Sequence, residues 1–267
     1  MSSLNDLQEI RVTVLGTGTS QGIPVIGCTC PVCTSDDPRD RRLRTSVMVS
    51  TGESSLLIDM GPDFRQQMLR SGFHHLDAIL LTHEHSDHIS GLDDVRPLNF
   101  MLKKDIPVYG LPRVLEAVRR RFDYVFDPDY SYPGLPQLDL KEIEAGEMVI
   151  AGVRLQAIRV MHGPLPILGF RFGRFCYITD AKAIPDDQMP LLEDLDVLII
   201  NALHRKEHFS HLNLTGALEL ISRIAPRKAY LTHLSHDMGC SRDVEQILPP
   251  GVGLAYDGMV ISVPGAV

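Results

Sequence analysis

The chain has 267 residues, 44% of them hydrophobic, with 26 Lys and Arg against 34 Asp and Glu and a formal charge of −8. That length accommodates one large α/β domain with a substantial core, and the acidic balance argues against broad binding to a nucleic-acid backbone, which needs a basic face. The opening MSSLNDLQEIRVTVLG has neither a basic n-region nor an apolar h-region, and no run of about 18 apolar residues occurs, so a cytoplasmic protein with reduced thiols is expected.

In chain order, β-branched runs predict strands at 10–16, 55–60, 77–82, 153–161, 175–180, 196–201 and 228–233. Helices are expected at about 62–71, 89–102, 111–122, 185–193, 213–224 and 241–248. Nothing resembling a linker divides the chain, so residues 1–267 read as a single domain. Several strands end on His or Asp, and in an α/β sheet functional groups gather at the carboxyl ends of strands. Residues 16–43 lack evident secondary structure, and such segments are usually functional. Their GTGTSQG stretch (16–22) fails as a dinucleotide loop, because the third glycine position falls on Gln21 and IPVIGC cannot open a helix. A tight glycine turn below the active site is the better reading. The basic runs 39–44 and 119–121 read as solvated surface, with the first a candidate to help hold an anionic substrate.

The strongest signal is LLTHEHSDHISGLDD at 80–94, where an apolar strand runs into His83, His85, Asp87 and His88. His83 and His85, two apart, project to one side of an extended backbone. Asp87 and His88 sit where the chain turns and can face a second position. This density of nitrogen and oxygen donors points to metal binding. A second cluster, GCTCPVC at 27–33, holds three of the five cysteines, Cys28, Cys30 and Cys33. In a reducing compartment that clustering reads as metal or redox chemistry, while Cys176, inside a strand, reads as a small core residue.

The H-x-H-x-D-H run resembles that of the metallo-β-lactamase fold, and the resemblance extends along the chain through Asp59 in LLIDMG, His162 in VMHGPL, Asp180 in YITDA and His233 in YLTHLSH. It implies a four-layer αββα sandwich. It also implies one metal held by His83, His85 and His162, a second held by Asp87, His88 and His233, and Asp180 bridging them. Asp59 is expected to brace the ligand loop from behind. Two such divalent ions, zinc or manganese, generate hydroxide near neutral pH and stabilise attacking and departing oxygens.

Within the superfamily, GTGTSQGIPVIGCTCPVC is similar to the N-terminal signature of the phosphodiesterase of the carbon–phosphorus lyase pathway and its relatives. That resemblance implies a structural zinc on Cys28, Cys30, Cys33 and His236, a closed shell of three thiolates and one imidazole, with Cys240 the rival fourth ligand. It also implies a general acid just before a helix, the place of His211 in HLNL, with His204 and His208 as rivals. The function expected is hydrolysis of a small phosphodiester, a cyclic nucleotide or cyclic sugar phosphate. Transfer-RNA 3′-processing and thioester hydrolysis are the alternatives on the same fold. Loops 39–46 and 123–137 are expected to set specificity, a small phosphoester is the expected partner, and the superfamily's dimers suggest a homodimer.

Overall fold

The computed structural model describes residues 9–130 and 132–264. Among them are strands β1 (Ile10–Gly16), β2 (Ser46–Thr51), β3 (Ser54–Ile58), β4 (Ala78–Leu80), β5 (Ile106–Gly110), β6 (Leu138–Glu142), β7 (Gly146–Ile150), β8 (Val153–His162), β9 (Leu165–Phe172), β10 (Phe175–Ile178), β11 (Val197–Asn201), β12 (Lys228–Thr232), β13 (Val252–Leu254) and β14 (Val260–Val263). The α-helices are α1 (Phe64–Ser71), α2 (Ser86–Ile89), α3 (Arg96–Leu102), α4 (Pro112–Arg121), α5 (Asp123–Phe126), α6 (Leu214–Ile224) and α7 (Ser241–Glu245).

The strands form two seven-stranded sheets, ordered β14-β1-β2-β3-β4-β5-β6 and β7-β8-β9-β10-β11-β12-β13. Both orders run through three antiparallel pairings and then three parallel ones. β14 therefore takes in the first sheet the place that β7 takes in the second, and β3 corresponds to β10.

Three buried clusters define the layers. Val12, Val49, Leu56, Phe170, Tyr177 and Ile199 meet between the sheets. Leu57, Ile79, Val114 and Leu115 pack the first sheet under α1, α3 and α4. Cys176, Leu198, Ala217 and Ile221 pack the second sheet under α6. Helix, sheet, sheet, helix is the resulting order, each element burying one face. No helix among the described residues is long and apolar enough to cross a membrane.

Two expected helices differ in form. The segment 89–102 is broken into α2, a 3₁₀ turn at Leu92–Val95 and α3. The break follows from Gly91, whose N–H donates to the Met60 carbonyl, and from Pro97 in the first turn of α3. The segment Asp186–Leu192 is 3₁₀, with Pro190 inside it. Strands β2, β5, β6, β7, β9, β13 and β14 were not expected.

The 16–43 segment is held by isolated bridges: Gly18 pairs with Arg44 on one side and Leu234 on the other, and Ile23 pairs with Arg42. A Cβ on Gly16 would lie 1.9 Å from the Arg44 carbonyl oxygen, so the glycine turn is a close-approach device. The 39–44 run is solvated surface only in part: Arg41 is exposed, but its neighbours are engaged. Arg42 is buried, and its guanidinium donates to Thr17 Oγ1, the Ala255 carbonyl and Ser241 Oγ at 2.8, 2.6 and 3.0 Å. Arg39 pairs with Asp37 and Glu245, and Arg44 with Asp63. These donors are taken up in pinning the loop.

Candidate metal centre

The carboxyl ends of β3, β4, β8, β10 and β12 deliver the expected residues to one edge between the sheets. The buried Asp59 carboxylate accepts the Thr82 N–H at 2.8 Å, the Thr82 hydroxyl at 2.9 Å and His88 Nδ1–H at 2.6 Å. With its hydroxyl proton so engaged, Thr82 Oγ1 accepts from His83 Nδ1–H at 2.9 Å. His162 Nδ1–H donates to the carbonyls of Asp180 and Ser210, at 2.7 and 3.0 Å. In all three rings Nδ1 is fixed, which leaves Nε2 facing the site with a free lone pair.

One ligand-type atom from each of His83, His85 and His162 lies within 4.8 Å of the others, and Asp87, His88, Asp180 and His233 form a second such group. Asp180 belongs to the second and touches the first. Its Oδ2 is 3.2 Å from His233 Nε2 and 3.8 Å from His83 Nε2, while Oδ1 is 3.5 Å from His88 Nε2. Thr179 Oγ1 donates to Asp180 Oδ1 at 2.6 Å. Three residues here, Asp59, Asp180 and His233, take left-handed backbone with φ of 60°, 58° and 54°, strain of the kind that clusters at functional sites.

The donor set fits divalent cations. Nε2 of His83, His88 and His233 is buried without a hydrogen-bond partner in each case, a costly condition unless another group completes it. Burial opposes charge on Asp180 and on Asp87. The imidazoles of His233 and His88 outweigh it at Asp180, and His88 with His233 does so at Asp87, holding both carboxyls well below their usual range. Burial pulls His88 down, yet Asp180, Asp59 and Asp87 raise it well above an ordinary imidazole. Burial and the neighbouring His88 drive His83 far down. The carboxylates thus favour positive charge at their centre, as a divalent cation held by these donors would supply.

Of the three histidines in 201–214, His211 reaches this centre. Its Nε2 is 3.2 Å from Asp180 Oδ2, and its Nδ1 contacts Ser210 Oγ and His208 Nδ1, each at 3.1 Å. His208 stands behind it, and the His204 ring lies 5.8 Å beyond His208. Asn213 caps α6 by accepting the Gly216 N–H, which fixes the turn carrying His211.

At the second cluster, Cys28, Cys30 and Cys33 Sγ lie 3.3, 3.5 and 3.4 Å from His236 Nδ1. Zinc bonds of about 2.1–2.3 Å give tetrahedral edges of roughly 3.6 Å, so the four atoms suit one ion. The Cys33 N–H bonded to Cys30 Sγ draws that thiol down to about 6, whereas burial pushes Cys33 up to about 11. Cys240 packs at the edge of this cluster, outside the four-donor group, and Cys176 is fully buried in β10.

Sequence reasoning missed Thr82, which relays Asp59 to His83; its position directly before the first histidine was the available signal. It also missed Ser210, which acts partly through its backbone carbonyl, and Ser86 with Arg121 at the rim.

Residues 55–234 match the model of the beta-lactamase superfamily domain. An octanoyltransferase of Porphyromonas gingivalis is 42% identical over 253 residues, 94% of this chain and 51% of that protein. A coenzyme PQQ synthesis protein B of Methylobacterium radiotolerans is 35% identical over 44% of this chain and 42% of its own. The chain thus spans about half the length of the curated relatives it matches. Among solved structures, a diphosphatase from the PhnP family superposes with a TM-score of 0.90 at 39% identity, over 96% of this chain and 97% of that one.

Proposed function

The chain belongs to the beta-lactamase superfamily, and from that premise we propose that it is a dinuclear metal-dependent phosphodiesterase acting on a small, cyclic or nucleotide-like phosphodiester. The observation that carries the reading is the trio of buried, unpartnered Nε2 atoms of His83, His88 and His233 around the Asp180 carboxylate. The similarity to a PhnP-family diphosphatase supports phosphoester chemistry.

In this reading His83, His85 and His162 would hold one divalent ion and Asp87, His88 and His233 the other, with Asp180 placed to serve both. Zinc or manganese held there would supply Lewis acidity and make the attacking water more acidic near neutral pH. The chain's own residues orient and protonate. Asp59 and Thr82 fix the faces of His88 and His83, and the Asp180 and Ser210 carbonyls fix His162. His211 Nε2 delivers a proton to the departing alkoxide oxygen. Cys28, Cys30, Cys33 and His236 hold a structural zinc that pins the 16–43 loop beside His233, through the bridge from Gly18 to Leu234. The protein works in the cytoplasm, where such thiols stay reduced, and the chain's charge of −8 favours a small substrate over transfer RNA.

Turnover of cyclic phosphates, linear diesters and monoesters, measured with metal analysis of the same sample, tests this. Diester hydrolysis that follows two exchangeable metals per chain is expected, and Asp180→Ala should lose kcat many-fold together with metal. An Asp180→Ala variant keeping both metals and most of kcat overturns the bridging role.

A further inference from the structure

Along β1 the side chains alternate between two surroundings. Val12 and Val14 enter the core between the sheets, so Arg11, Thr13 and Leu15 lie on the outer face, where Leu15 joins the core under the helices. β14 alternates in the same way beside it, with Ile261 and Val263 inward and Val260 exposed. The C-terminal end of α1 is tied to β1 by Arg70, which donates to the Leu15 carbonyl. Between this helix end and the two strands lies a cavity of about 230 Å³, lined by Arg11, Thr13 and Leu15 from β1, Val260 from β14, and Arg70 and Phe73 from the end of α1 and just beyond it.

The strand register separates the Arg11 end of this cavity from the metal centre. Arg11 lies opposite Ser50 of β2, and Ser50 opposite Ser55 at the start of β3, whereas Asp59 follows the end of that strand. Four residues at about 3.3 Å each put roughly 13 Å of strand between the two levels. The lining is cationic in a chain whose formal charge is −8, with two arginines and no carboxylate. Arg11 faces Ser262 on one side and Ser50 on the other, and among the described residues no carboxylate pairs with it. Arg70 gives one N–H to the Leu15 carbonyl and another to Asp257 Oδ2 at 3.3 Å. Asp257 also accepts the Thr17 hydroxyl and the Leu43 N–H, each at 2.7 Å, and three of the five donors of Arg70 stay unassigned. Two guanidinium groups in one small cavity match the oxygens of a dianion. Phe73 and Val260 add apolar surface for a ring beside it, and the volume restricts the occupant to a small molecule.

We propose that this cavity is a second ligand site, which takes a small phosphomonoester carrying a ring, with Arg11 and Arg70 on the phosphate and Phe73 against the ring. The site is separate from the metal centre and does not depend on the phosphodiesterase reading.

The chain has no tryptophan, so Phe73→Trp places a single indole in the lining as a reporter. Its fluorescence should change saturably with phenyl phosphate. Inorganic phosphate, which lacks the ring, and benzoate, which carries a single charge, should each bind roughly tenfold more weakly. Arg11→Gln added to the reporter should weaken phenyl phosphate roughly tenfold, the loss of one charge-assisted contact, while Arg65→Gln, on α1 but outside the cavity, should leave it unchanged. Calorimetry of the unsubstituted, metal-loaded protein and of Arg11→Gln alone repeats the comparison without the indole: one phenyl phosphate binding event should weaken roughly tenfold, with metal content and melting temperature matching the parent. Equal affinity for phenyl phosphate and either control ligand overturns the assignment, as does a phenyl phosphate titration that Arg11→Gln leaves unchanged.

Discussion

His211 holds its position through contacts on both ring nitrogens, with the Asp180 carboxylate on one side and Ser210 and His208 on the other. Burial lowers its pKa while Asp180 opposes, so a proton held on it passes readily to a stronger base. A sugar alkoxide is such a base and a nitrophenolate is not. His211→Ala should therefore lose about 10²–10⁴-fold on an alkyl or ribosyl diester and far less on a nitrophenyl diester. Rates for both esters, with metal content checked, decide this. Equal losses would make His211 a positioning residue, and a leaving-group effect in His208→Ala would move the role there. At this scale the sequence was most legible where a donor closes an apolar run, as at His83, His162, Asp180 and His233. The groups that aim those donors were less so, because a carbonyl such as that of Ser210 leaves no mark in residue identity.

Among elements, the loop after β4 and the loop 16–43 carry the two clusters, and each depends on a close backbone contact. A Cβ on Gly61 would stand 2.0 Å from the Asp87 carbonyl oxygen. Gly61→Ala should thus push the turn bearing Asp87 and His88 outward, and metal analysis should find the catalytic ions depleted in a protein with near-native circular dichroism. The cysteine loop is tied down differently. Cys30→Ser should release the structural zinc and lower Tm by about 5–10 °C, the size expected for a loss of a few kcal/mol in a chain this long. A variant that melts like the parent with its zinc retained would remove the staple. The strands β1, β8, β11 and β12 could be read because their apolar runs are long or continuous. Short or half-exposed strands such as β6 and β7 could not, since their pairing rather than their composition makes them strands. The broken helix at 89–102 reads as continuous by periodicity, and the contact between Gly91 and Gly61 that breaks it is a tertiary fact.

For the whole molecule, the matching order of pairings in the two sheets divides the candidate ligands between them. Asp59, His83, His85, Asp87 and His88 come from the chain up to β6, and His162, Asp180, His211 and His233 from the chain after it. β14 alone crosses back, and its last paired residue, Val263, lies opposite Ile10 at the beginning of β1. The two ends of the described fold are therefore neighbours in one ladder, and residues 10 to 263 are one turn short of a closed loop. The exposed connection Glu144–Ala145 between β6 and β7 offers the other cut. A circular permutant that starts at Gly146, joins Val263 to Ile10 through a short glycine-rich turn and finishes at Ile143 would place each sheet in one uninterrupted stretch of chain. It should fold with the parent's metal complement and a Tm within a few degrees, because no ladder pairing is lost and the new ends emerge at an exposed loop. Failure to bind metal in a folded permutant would mean that the covalent link between β6 and β7, and not their packing alone, holds the two halves of the centre in register.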